Sequence, residues 1–147
     1  MGEEWWLIPA IGPVMLLNSI TDLKKREISL KISVLWGLVG IAIRIGREYY
    51  GNGFHLMDWV GMLVGLFVIA VAILSNGQIG IGDGIIMLAL SFYLELEALL
   101  TAILVAGIGV AVCALILLLI FHKGRRYQIP FVPFLTLGVL VSFGGIA

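Results

Sequence analysis

Polar residues interrupt this chain at wide intervals, leaving six apolar stretches at about residues 5–21, 30–45, 56–74, 81–94, 98–121 and 129–146. A helix rises 1.5 Å per residue, so a hydrocarbon slab ~30 Å thick takes about 20 residues per crossing. The pattern therefore predicts an all-α integral membrane protein with six transmembrane helices and short connections. With no Pro- or Ser-rich linker and no internal repeat, residues 1–147 read as a single polytopic domain. Trp5, Trp6, Trp36, Tyr49, Tyr50, Trp59, Tyr93 and Tyr127 mostly fall near segment ends, where aromatic side chains anchor helices at the membrane interface.

Composition strengthens that picture. The chain is 61% hydrophobic and 12% charged, with mean hydropathy +1.14, against roughly 45–50% and about 25% in soluble domains. The charges carry direction. On an alternating path, the first, third and fifth connections hold Lys24, Lys25, Arg26, Lys31, Lys123, Arg125 and Arg126, whereas the opposite side holds Arg44 and Arg47. The positive-inside bias then puts these three connections in the cytoplasm and both termini outside. Asp22, Glu27 and Asp83 share the inner side, and the other acids lie outside.

Several chemistries find no support. The one cysteine, Cys113, lies in an apolar run, so no intrachain disulfide or zinc framework is expected. His55 and His122 have no metal-ligand partner at helical spacing; no metal or other cofactor is expected, and no nucleic-acid partner. The start, "MGEEWW", has acids where a secretory signal has basic residues and reads as the outer end of the first helix. It also lacks the hydroxyl residue of a myristoylation signal.

Two carboxylates remain to be explained. Asp83 stands in "SNGQIGIGDGIIML", among four glycines, and Asp22 ends the first apolar run in "LLNSITDLKKREI". Counting from Glu95 as the outer edge places Asp83 roughly 18 Å away, recessed by about 10 Å in the ~30 Å core. From Trp5, Asp22 lies roughly 25 Å inward, near the inner edge. The third connection must then dip into the membrane, which irregular backbone tolerates where protein covers it or a wet cavity adjoins it. This predicts a re-entrant "NGQIGIG" loop before helix four, with helix tilt or a displaced boundary as alternatives.

An intramembrane acid costs at least about 2.5–3.5 kcal/mol at a helix centre, so one facing a cavity points to function. Two close carboxylates do not both ionise cheaply; one holds a proton and the other is charged. Such a pair can hydrolyse an amide, the charged member taking a proton from water and the protonated one donating to the carbonyl oxygen. Gly80 and Gly82 would allow positive φ and close approach of a substrate backbone. Blander accounts exist for both acids: Asp83 as a helix cap and Asp22 as an interfacial partner of Lys25 or Arg26.

The same residues resemble the type IV prepilin peptidase family. Asp22, Arg26 and Ile28 in "TDLKKREI" fit its D-x-x-x-R-x-I-like stretch, and Gly80, Gly82 and Asp83 fit its G-x-G-D. "IPFVPFLTLG", residues 129–138, is similar to a stretch in the last part of many members. The resemblance implies a GxGD-type intramembrane aspartic endopeptidase cutting the basic leader from prepilin-like precursors at the cytoplasmic face of a prokaryotic cell membrane. Asp22 and Asp83 would be catalytic, with Gly80, Gly82 and Arg26 positioning the substrate. Ile85 stands where members usually have Lys, and Ser29 where Pro often follows. Without the CxxC pairs of larger members, the chain looks like the small, peptidase-only branch of Flp-type and archaeal enzymes, lacking N-methyltransferase activity. A small proton- or cation-coupled transporter using the same acids is the alternative, and a noncatalytic scaffold a third reading.

Pro130 and Pro133 are expected to shape the start of helix six. Gly107, Gly109 and the glycines of helices two and three are expected to serve close packing. Asn76 and Gln78 read as loop polarity or as donors to substrate backbone.

Overall fold

The computed structural model describes residues 7–25, 27–51, 56–75, 80–120 and 129–144. Within them the chain is all-helical: α1 (Ile8–Lys25), α2 (Leu30–Tyr50), α3 (Leu56–Leu74), α4 (Ile81–Leu90), α5 (Leu96–Leu119) and α6 (Val132–Gly144). Order and approximate place agree with the hydropathy pattern. The ends do not. Helix α1 continues past Thr21 to Lys25, and α2 past Ile45 to Tyr50, because polar side chains at an exposed helix end leave the backbone ladder intact. The expected N-terminal anchors Trp5 and Trp6 and the "NGQI" part of the expected re-entrant loop lie outside the described residues.

Length separates the helices. Among the described residues α5, with 24 residues and mean hydropathy 3.0, is the one helix both long and apolar enough to cross a membrane, while α4 and α6 are apolar but shorter. Helix α4 stops at Leu90 instead of reaching Leu94. Phe92 N–H bonds to Ala89 O at 3.2 Å and Tyr93 N–H to Leu90 O at 3.0 Å, the tighter three-residue closure that ends helices. The Ser91 hydroxyl donates to Leu88 O at 2.7 Å in the same turn.

That turn carries Phe92 and Tyr93 into the core. Trp36 and Tyr93, expected at the interface, are buried, with rings stacked at a centroid distance of 4.8 Å. Each polar end is satisfied: Trp36 Nε1–H donates to Ala10 O at 3.0 Å, and the Tyr93 hydroxyl to Trp36 O at 2.7 Å. Buried N–H and O–H groups need such partners, and here backbone carbonyls supply them. Trp59 differs, donating to Glu48 Oε1 at 2.6 Å near the start of α3.

The helices pack mainly as two trios. Helix α4 lies against α2 and α3, and α6 lies against α1 and α5, with thinner contacts joining α1 to α2 and α3 to α5. Small residues allow the close approaches. A Cβ on Gly37 would stand 3.3 Å from Ala89 Cβ, and one on Gly84 2.9 Å from the Ile69 backbone nitrogen. In the other trio Gly138 faces the Ala102 backbone, and a Cβ on Gly109 would come within 2.6 Å of the Phe134 ring. Gly107, expected to serve packing, has open space beside it. Large apolar side chains such as Leu23, Leu35, Phe67, Leu104 and Leu119 point outward.

Candidate active site

Helix α1 buries one face, Ile11, Met15, Asn18, Ser19 and Asp22. Its first part is apolar and its last turns are polar, and each polar group finds a partner on another element. Asn18 Nδ2 donates to Ser33 Oγ on α2 at 3.2 Å. Asn18 Oδ1 accepts from Ser29 N–H at 3.3 Å. Ser19 Oγ and Thr136 Oγ1 lie 2.7 Å apart, and the Thr136 hydroxyl donates to Val132 O at 2.9 Å. A hydroxyl has one proton to give, so Ser19 is the donor to Thr136.

Asp22 sits one turn beyond Asn18, 7% exposed. Its Oδ2 accepts the Val132 backbone N–H at 3.0 Å. Of the partners expected for Asp22, Lys25 is exposed and Arg26 lies outside the described residues; the partner the structure gives is the first residue of α6. Helix starts leave backbone N–H groups unpaired, and a carboxylate is a strong acceptor for one of them.

Asp83 is placed differently. Gly80, in extended conformation at φ −68° and ψ 122°, occupies the cap position of α4. Asp83 is the third helical residue, and its N–H reaches Gly80 O at 3.1 Å. The capping account of Asp83 is thereby corrected. So is the positive φ expected at Gly80 and Gly82, neither of which adopts it. What these glycines provide is room. A Cβ on Gly80 would lie 3.1 Å from Asp83 Oδ2, and one on Gly82 2.9 Å from Ile28 Cδ1.

The stretch containing Asp22 thus touches the stretch containing Asp83, through Ile28 resting on Gly82. Asn18 holds that connection at Ser29. Asp83 is half-buried. Of the five residues singled out from sequence, four are gathered here and Arg26 is outside the described residues. Asn18 escaped notice, and Ser19, Val132 and Thr136, the last two within the "IPFVPFLTLG" stretch, were given no part beside Asp22. The available signal was a polar pair, "NS", one turn before Asp22 in an apolar run.

The sequence profile of the type IV leader peptidase family matches residues 10–115. The chain is also 33% identical over 67 residues to ATP synthase subunit a of Syntrophobacter fumaroxidans, a match covering 46% of this chain and 26% of that protein. The chain thus spans about a quarter of that relative's length. No solved structure matches significantly.

Proposed function

Since the chain belongs to the type IV leader peptidase family, we propose that it is a peptidase, that Asp22 and Asp83 are its catalytic pair and that it removes the basic leader of prepilin-like precursors. The observation carrying this reading is the contact of Ile28, six residues after Asp22, with Gly82, the residue before Asp83. One carboxylate takes a proton from water as the oxygen attacks the scissile carbonyl. The other gives its proton to the carbonyl oxygen. Collapse of the tetrahedral adduct breaks the C–N bond, and a proton returned to nitrogen releases the amine.

Lipid covers the outward leucine and phenylalanine side chains in this reading, with six helices embedded and shorter ones sheltered by their neighbours. The lysine-rich connection after α1 faces the cytoplasm, and both termini lie outside. A leader with basic residues in the cytoplasm and an apolar helix in the bilayer brings its scissile bond to that face. Gly80 and Gly82 admit the extended substrate backbone, and Arg26 helps to position it. The chemistry needs no metal or cofactor, and N-methylation is not expected.

Asp22→Asn and Asp83→Asn, each folded and inserted in liposomes, are expected to abolish cleavage of a candidate prepilin, read by product mass. Near-normal turnover by either variant would end the paired-acid mechanism. Cation uptake by proteoliposomes without any peptide cleavage would favour the carrier alternative.

A further inference from the structure

We propose that the Val132 backbone N–H is a positioning group for catalysis, holding one oxygen of Asp22 so that the other is presented to water and to Asp83. The inference rests on the paired-acid reading and extends it to α6, which lies beyond the family-matched residues. Val132 begins α6, and its N–H meets Asp22 Oδ2 at 3.0 Å in a buried setting. The sequence around it restricts the competition. Pro133 has no N–H, and Leu135 N–H already bonds to Phe131 O at 3.0 Å, leaving Val132 and Phe134 as the first-turn donors without a backbone acceptor among the described residues.

The contact is braced by a second one. One turn along each helix, Ser19 and Thr136 bridge α1 to α6 at 2.7 Å, and Thr136 also closes on Val132 O. Val132 itself is fully buried, so bulk water does not compete for its amide. A carboxylate on an unbranched side chain otherwise rotates about two bonds. With Oδ2 held, its plane is set, and Oδ1 is the oxygen left for chemistry. Displacements of ~1 Å in such groups cost about 100-fold in rate.

Proline at position 132 removes this N–H and is tolerated in a helix's first turn. Val132→Pro is expected to lower kcat by about tenfold or more, the scale of one hydrogen bond to a charged group, with KM changed by less than about twofold. Val132→Ala keeps the N–H and trims the packing, and should hold kcat within about twofold of the parent. If Val132→Pro does not fold, an ester in place of the Phe131–Val132 amide removes the same hydrogen, keeps the valine side chain and takes its place in the comparison. Unchanged kcat without the N–H, in an enzyme that Asp22→Asn and Asp83→Asn inactivate, would overturn the positioning role and leave the pair standing. An equal fall of kcat in Val132→Ala would overturn it too, by tracing the effect to packing. Active Asp22→Asn or Asp83→Asn variants would instead remove the premise.

Discussion

The two aspartates are held by opposite means. Around Asp22 the α1–α6 seam is laced with side-chain hydrogen bonds, including Asp22 to Val132 and Ser19 to Thr136. Around Asp83 the fit of α4 against α2 and α3 depends on missing side chains, at Gly37, Gly65 and Gly84. Hydrogen bonds select an orientation, whereas glycine packing selects a distance. One acid is therefore aimed, and the other is brought near. The contact between their two stretches, where Ile28 touches Gly82, lies between the trios.

The largest effect is expected where backbone meets backbone. A Cβ on Gly65 would stand 2.6 Å from the Leu88 nitrogen, so Gly65→Val must push α4 away from α3. Overpacking of this kind costs about 1–3 kcal/mol, and thermal unfolding in detergent should show it together with lost cleavage. Gly107→Ala is the control. Nothing lies within 4 Å of its Cβ position, and alanine's better helix propensity predicts a neutral or slightly raised midpoint. Equal loss in both variants would break the contrast.

An intermediate effect is expected at the junction. Gly82→Ala places a methyl 2.9 Å from Ile28 Cδ1, separating the acids more than it unfolds the protein. Activity should fall by about tenfold with little change in melting temperature. Ile28→Val in the same chain makes space and should restore part of the rate. No recovery in the double variant would place the damage elsewhere.

The smallest effect belongs to the polar seam. Ser19→Ala removes the donor to Thr136, whose own hydroxyl keeps Val132 O as acceptor. Interhelical hydrogen bonds in membranes average ~0.6 kcal/mol, so a stability loss of about that size is expected, with a smaller fall in turnover than in Val132→Pro. A loss rivalling Gly65→Val would mean that hydrogen bonding, rather than close packing, holds the two trios.

Much was legible because it depends on local chemistry. Six apolar segments and their order follow from hydropathy, and Asp22, Asp83, Gly80 and Gly82 stood out because acids and glycines are conspicuous among aliphatic residues. Trp36 and Tyr93 misled for the same reason: an aromatic near a segment end suits the interface, yet their stacked rings turn inward to backbone acceptors on α1 and α2. The early end of α4 was hidden because residues 91–94 are as apolar as a helix and only their hydrogen-bond spacing marks the turn.

Composition and charge order are properties of the linear chain, and from them come the helical class, the membrane expectation and the choice of acids. Partners between distant segments are not such properties. That Asp22 bonds to an amide 110 residues away, and that Gly82 accepts Ile28, arises only when six helices pack. Hydrophobic segregation is read residue by residue, whereas a single hydrogen bond or a missing Cβ acts through the position of its neighbour in space.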